Sequence, residues 1–222
     1  MAGKGEQWQR FERTGADELR VFLSGLKPDR PIRIILGEGW GPDVGELFDE
    51  LPAGLDLRFL CLRGNRVGDE AILKICCHKS LVLSKCVCLE HCGLTDVGLS
   101  RLLSSKCFDG LRELNLCNRG GVDSGLRNEI SDTSVLALAA CPHLSQLESL
   151  DLWNTDVSDL GLQALLESKT LNRLGSIYAR GTKVTSAGAA RLLPLLATRN
   201  EGSFGLSLHT DYHVPTVWPG DW

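Results

Sequence analysis

Cysteine and histidine are the residues of this 222-residue chain that first suggest a chemical site, with nine of one and five of the other. They are densest between positions 76 and 92, where thiolate sulfur and imidazole nitrogen could together bind zinc. No two of the cysteines have the Cys-x-x-Cys spacing that commonly begins a tetrahedral thiolate site. The residues of this segment are Cys76, Cys77, His78, Cys86, Cys88, His91 and Cys92.

A glycine-rich stretch, IRIILGEGWGPD at 32–43, is the second candidate, since glycines between a strand and a helix can bind a dinucleotide. The third glycine of that fingerprint is replaced by Pro42, which argues against a nucleotide site. The sequence also contains no P-loop, nucleophile elbow, HExxH motif or arranged pair of catalytic carboxylates. We therefore expect no catalytic residues, no cofactor and no small-molecule substrate.

An internal repeat of about 27 residues determines which elements carry these side chains. A typical copy has two apolar residues separated by one residue, then a small or polar residue, another apolar residue and an Asp. In the copy that begins at 177 Ser186 replaces the Asp, and the copy that begins at 206 has no helix after it. The first apolar positions are 34, 60, 87, 114, 150, 177 and 206, at intervals of 26, 27, 27, 36, 27 and 29. The longest interval is 27 plus 9, which indicates an insertion, placed at 117–129, within an unbroken register.

Each copy predicts a short strand, a turn and an amphipathic helix. A small or polar residue in the turn can bond backbone groups of a neighbouring turn, and this position holds Asn65, Cys92 and Thr155. The Asp, such as Asp96, is expected to cap its own helix. The small residue two positions later, such as Gly98, is expected to let the helix approach the sheet. One copy cannot bury its apolar face alone, so neighbouring copies must stack.

The repeat pattern resembles the leucine-rich-repeat family. The phrases LTDVGLSRLL and ISDTSVLALAACPHL are similar to its ribonuclease-inhibitor-like and cysteine-containing subclasses, the latter common in F-box adaptors. The resemblance covers residues 31–210. It implies an α/β solenoid, a right-handed β-α superhelix of about 6–7 repeats with a parallel concave sheet and convex helices.

Three regions follow from this pattern. Residues 1–30 are expected to form a helical cap, with an amphipathic helix or helix pair at 6–26, and residues 31–210 form the repeat domain. Residues 211–222 form a tail rich in aromatic residues and proline, in which Tyr212, Trp218 and Trp222 are candidate partner-binding residues. The tail either folds back over the last repeat or docks in a groove of a partner.

Strand alternation also predicts which side chains face the concave surface. The repeat register places the cysteines apart: Cys76 faces the core from a helix, while Cys86 and Cys88 face the open side of the sheet. A metal site that includes Cys61 and Cys88 remains the alternative. Tryptophan, tyrosine and arginine are enriched at binding hot spots. An exposed Trp153 could therefore be covered by a partner, or alternatively by the insertion or the tail of the same chain. The predicted partner-binding residues on this surface are Phe59, Arg63, Glu90, Trp153, Tyr178 and Arg180.

Charge and composition restrict the class of partner. The chain has 24 basic and 28 acidic residues, a net charge of -4 and no Lys/Arg run, which argues against nucleic acid. An odd number of cysteines excludes a fully paired disulfide framework, and no apolar run is long enough to insert into a membrane. We expect a cytoplasmic protein, or one in another reducing intracellular compartment.

The expected function is a non-catalytic protein–protein interaction module, a scaffold or accessory subunit of a larger intracellular assembly with one or more protein partners. One alternative is a substrate-recognition adaptor of a ubiquitin ligase, but residues 1–30 lack the length and the LP-rich start of an F-box. The other is an enzyme inhibitor like ribonuclease inhibitor, which would require a longer horseshoe and a basic partner.

Overall fold

The computed structural model describes residues 8–13, 15–49, 51, 54–79, 81–104, 106–119, 126–200 and 207–210. Among these residues, eight strands form one parallel sheet whose strand order follows the chain. The strands are β1 (Gln9–Arg13), β2 (Ile32–Leu36), β3 (Leu55–Cys61), β4 (Leu81–Cys88), β5 (Glu113–Asn115), β6 (Ser149–Asp151), β7 (Ser176–Tyr178) and β8 (Ser207–His209). The α-helices are α1 (Ala16–Ser24), α2 (Gly68–Cys76), α3 (Asp96–Leu103), α4 (Asp132–Ala140), α5 (Asp159–Glu167) and α6 (Ser186–Asn200).

A single core lies between the sheet and the helices. Central strand residues such as Leu60, Val87 and Leu150 are fully buried there, and Leu102 and Leu165 pack from the helices. Neighbouring helices contact each other in chain order from α2 to α6. The predicted α/β class with a parallel sheet is therefore confirmed, and the arrangement is repeat-like.

The strand register follows the predicted repeat from β2 to β7. Ile34 pairs with Leu60, and the chain of partners continues to Ile177 as the intervals predict. The last predicted pairing is wrong, because Ile177 is opposite Leu208 and not Leu206. Helix α6 has 15 residues against nine in α5, so the chain returns to the sheet later than the repeat length suggests. His209 consequently lies opposite Tyr178.

The amino-terminal region differs from the predicted helical cap at 1–30. Gln9–Arg13 is a strand that pairs in parallel with β2, and only Ala16–Ser24 forms an α-helix. Phe11 lies on the strand and is buried, and the centre of its ring is 5.5 Å from the centre of the Phe22 ring on the helix. This region therefore adds a further strand–helix unit to the edge of the sheet, ahead of the first predicted repeat.

The recurrent Asp links one unit to the next and does not cap its own helix as predicted. Asp69 accepts hydrogen bonds from the backbone N–H (2.8 Å) and hydroxyl (2.6 Å) of Thr95 in the following unit. Asp132 binds Ser158 in the same way, at 2.8 and 2.5 Å. The hydroxyl oxygens of Thr95 and Ser158 cap their own helices instead. A carboxylate ladder thus connects the helix starts of successive units.

The small residues two positions after these Asp residues, or after Ser186 in α6, make room for this ladder. A β-carbon at Gly98 would lie 2.0 Å from Asp69 Oδ1, and one at Gly188 would lie 1.9 Å from Asp159 Oδ1. Glycine is therefore required here because the helix lies close to the carboxylate of the preceding unit, more than because the helix lies close to the sheet.

The corresponding position of α4 holds Ser134, whose hydroxyl donates to Asp96 and thereby avoids this conflict. Burial raises the pKa of Asp96, but hydrogen bonds from Ser131 and Ser134 outweigh it and hold that pKa below its ordinary value. The ladder therefore favours the ionised carboxylate at this position.

Candidate interaction surface

The side of the sheet opposite the helices is the open face, formed by alternate strand residues that do not enter the core. A groove of about 520 Å³ crosses it between Phe59 and Tyr178, both half-buried. Arg33 lines the same groove and was missed by the sequence prediction, although it lies between the buried Ile32 and Ile34 and alternation alone identifies its face. The register partners at the groove are Arg33, Phe59, Cys86, Glu113, Ser149 and Ser176.

Trp153 contacts two arginines on the open face. The guanidinium carbon of Arg119 lies 4.3 Å from the centre of a Trp153 ring, and that of Arg180 lies 5.7 Å away. Arg119 also donates a hydrogen bond from Nη2 to Asp151 Oδ2 (2.7 Å), while the Trp153 backbone N–H donates to Asp151 Oδ1 (3.0 Å). The indole is therefore half-buried in a fixed position, covered in part by a residue of the same chain, as the alternative for Trp153 anticipated.

Asp151 accepts hydrogen bonds from both Arg119 and the Trp153 backbone and so holds these two residues together. Its side chain is 12% exposed, and burial raises the pKa of its carboxyl despite the opposing effects of the Trp153 N–H and the Arg119 charge. Asp151 lies opposite Tyr178 in the register, and Arg180, two residues further on, is exposed. Trp153, Tyr178 and Arg180 thus lie close together on neighbouring units, while their binding role stays a prediction.

Glu90 does not face a partner as predicted. It is 4% exposed and lies beneath Arg63, whose Nε is 3.4 Å from Glu90 Oε1, whereas Arg63 itself is exposed. The strand ends before this position, and His91 adopts a left-handed backbone conformation (φ 51°), so alternation no longer applies. Of this pair, Arg63 is the residue that a partner could reach.

Phe59 forms a second aromatic–arginine contact on the open face. The Arg33 guanidinium carbon lies 4.2 Å from the centre of the Phe59 ring. Arg33 Nε in turn donates to Glu12 Oε1 at 3.1 Å. The open face therefore carries two aromatic side chains, Phe59 and Trp153, each beside an arginine that a carboxylate holds.

The insertion is fixed at its two ends. Asn118 and Asn128 bond reciprocally, with Asn128 N–H donating to Asn118 Oδ1 (2.7 Å) and Asn118 Nδ2 donating to the Asn128 carbonyl (3.0 Å). Asn128 fills the turn position that Asn65 and Thr155 occupy elsewhere. The nine extra residues are therefore 119–127, which lie within the predicted range of 117–129. Residues 120–125 lie outside the described part of the chain. Arg119, the first inserted residue, is therefore positioned against Trp153 by a rigid base.

The cysteines are distributed over several layers. The predicted positions of Cys76 in the core and Cys92 in the turn are confirmed, and Cys92 Sγ donates to the Leu62 carbonyl at 3.0 Å. Cys117 is fully buried. Cys61 and Cys88 are half-buried on neighbouring strands. Among the described residues, no three histidines, cysteines or carboxylates are grouped so as to hold a metal ion.

Tyr212, Trp218 and Trp222 lie outside the described residues, so the two roles considered for the tail remain predictions. No helix in the described ranges has both the length and the apolar character needed to cross a membrane. No protein-family model matches the chain, and no curated protein matches it. Proposals about function therefore depend on the geometry of the open face.

Proposed function

We propose that this chain is a leucine-rich-repeat solenoid that acts as a non-catalytic protein-interaction module and binds its partner with the open face. The resemblance of the repeat pattern to that family supports the solenoid. The sequential parallel register and the Asp ladder between successive units are compatible with it. Such solenoids present an extended surface whose side chains vary independently of the buried repeat residues.

The observation that carries the proposal is the contact of Trp153 with both Arg119 and Arg180. An aromatic ring beside arginines offers a large contact area, and Arg119 loses little conformational entropy on binding because Asp151 already holds it. Tyr178 on the next strand extends the same patch. Residues of these three types dominate the energetics of protein interfaces.

The charges of the open face favour a protein partner. Arg33 and Arg119 line the groove together with Glu113, Glu148 and Asp151, so charges of both signs are present there. A nucleic-acid backbone would instead need a surface of one positive sign. The groove, about 520 Å³ in volume, has room for several side chains of a partner loop or strand.

A scaffold or accessory-subunit role suits this geometry, because nearly all described residues belong to the sheet, the helices or their connections. Cysteines at intermediate burial, including Cys61, Cys86 and Cys88, suit a reducing, for example cytoplasmic, compartment that keeps thiols unpaired. Assembly with one or more proteins would cover Trp153 and Tyr178.

Replacing both Trp153 and Arg180 with alanine is expected to weaken partner binding about 30-fold, the effect of losing a hot-spot contact. The measurement is quantitative affinity capture with mass spectrometry, followed by titration of the recovered partner. Arg180→Glu, at an exposed position, provides a second variant that leaves the indole in place.

The matched control is Arg191→Ala/Leu193→Ala on α6, which removes an exposed cation and an exposed apolar side chain from the helical side. Circular dichroism checks that every variant keeps the native secondary structure. Retention of all partners by the folded Trp153→Ala/Arg180→Ala protein, or equal losses in the control, would contradict binding through the open face.

A further inference from the structure

Cys61 and Cys88 lie directly opposite each other on strands β3 and β4. Neighbouring strands are about 4.8 Å apart, which falls within the Cα separation of roughly 4.4–6.8 Å that a disulfide spans. Both residues are free thiols at intermediate burial, and Cys88 lines the groove of the open face. The two side chains are therefore neighbours on adjacent strands and are partly accessible to a small reagent.

The surroundings distinguish the two thiols. The hydrogen bond from Cys88 lowers the pKa of Cys61 to about 7 against the effect of burial, with help from the backbone N–H and charge of Arg63. The same hydrogen bond and burial raise the pKa of Cys88. Cys61 is thus the more acidic thiol of the pair, and Cys88 the less acidic one.

Other thiols nearby are protected from reaction. Burial and the Glu113 carboxylate raise the pKa of Cys86 to about 12, and burial, with lesser effects of Asp151 and Glu90, raises that of Cys117 to about 12. Reactivity should therefore concentrate on Cys61, although Cys86 lies only two residues from Cys88.

We propose that Cys61 and Cys88 form a redox-active dithiol site that low-molecular-weight disulfides such as oxidised glutathione convert to an intramolecular disulfide. The Cys61 thiolate attacks one sulfur of the reagent, forms a mixed disulfide and releases one glutathione thiolate, which takes the Cys88 proton. The Cys88 thiolate then attacks the Cys61 sulfur and releases the second glutathione. This second glutathione leaves as a thiolate and takes up from water the proton that Cys61 lost on ionisation. Two electrons pass from the cysteines to the reagent, and two glutathione thiols are formed.

The bond should be reversible. Side chains on directly opposed parallel strands stay near the strand spacing, which exceeds the mean Cβ separation of about 3.8 Å in disulfides. Closure must therefore pull β3 and β4 together locally, and a strained disulfide is readily reduced. This inference goes beyond the proposed binding function and does not depend on it.

The test treats the full-length protein with oxidised glutathione, blocks residual thiols with an alkylating reagent and maps the products by peptide mass spectrometry. Wild type should yield a Cys61–Cys88 cross-link that reduced glutathione reverses. Cys88→Ser should accumulate a glutathione adduct on Cys61, because the resolving thiol is missing. Cys61→Ser should react at Cys88 at least about tenfold more slowly, and the control Cys86→Ser should behave like wild type.

Wild type alone also provides a readout that needs no variant. The alkylation rate of Cys61 should rise with pH around a midpoint near 7. The proposal is overturned if wild-type Cys61 reacts no faster than the buried Cys76. It is equally overturned if adducts form on Cys61 without any cross-link to Cys88.

Discussion

Replacing Asn128 with alanine is expected to lower the free energy of unfolding by about 3–5 kcal/mol, a large share of the stability of a typical domain. The Asn128 side chain is fully buried and makes four hydrogen bonds to backbone groups of two units. Its amide nitrogen donates to the Leu89 (2.6 Å) and Leu116 (3.0 Å) carbonyls. Its oxygen accepts from the N–H groups of Cys92 (3.1 Å) and Leu94 (2.9 Å).

The loss is large because alanine leaves all four partners of Asn128 buried without a hydrogen bond. Equilibrium unfolding in urea measures it, with Asn172→Ala as the control because Asn172 is exposed. The control should change stability by no more than about 0.5 kcal/mol. A folded Asn128→Ala protein as stable as the control would show that these hydrogen bonds do not hold the turn layer together.

Gly161→Ala is expected to destabilise the protein by about 2–3 kcal/mol, although alanine in place of glycine normally stabilises a helix interior by about 1 kcal/mol. The new β-carbon would lie 2.4 Å from Asp132 Oδ1 and 2.9 Å from Val157 Cγ1. The Asp132 carboxylate would be displaced from its hydrogen bonds to Ser158 and Gly161. The effect is measured by urea unfolding, with the midpoint compared at constant slope.

A double-mutant cycle isolates the cause of this loss. Asp132→Ala alone should destabilise the protein, because it removes the link from α4 to the start of α5. Adding Gly161→Ala to Asp132→Ala should cost far less than adding it to wild type, since the carboxylate is no longer in the way. Additive effects of the two substitutions would contradict the close approach of Asp132 to position 161.

The register from β2 to β7 was predictable because buried apolar side chains determine it. Leu60, Val87, Leu114, Leu150 and Ile177 cannot shift by one residue without exposing the core side of their strands. The sheet edges were harder to predict. The segment Gln9–Arg13 is so short that the periodicity of its apolar residues does not distinguish a strand from a helix. At the other edge, the position of Leu208 depends on the length of α6.

The candidate site was partly predictable for a similar reason. Trp153 follows β6 and Tyr178 is the last residue of β7. Buried and open-face positions alternate clearly along these strands, so the side of the sheet on which each residue lies could be assigned. Glu90 was misplaced because the chain turns after β4, and the burial of a turn residue depends on its neighbours. The contact of Arg119 with Trp153 was not predicted, because Arg119 belongs to the insertion and the repeat pattern does not place inserted residues. The turn position of Asn128 could have been predicted, by allowing for the nine extra residues that follow Asn118.

Site-directed photo-crosslinking tests binding through the open face most directly. A benzophenone amino acid is placed at Tyr178 on the open face or, in a matched protein, at the exposed Gln163 on α5. The account predicts that Tyr178 yields a discrete cross-linked protein in native extract and that Arg180→Glu suppresses this product. It also predicts no product from position 163. The same cross-linked protein from position 163 but not from position 178 would contradict an open-face interface.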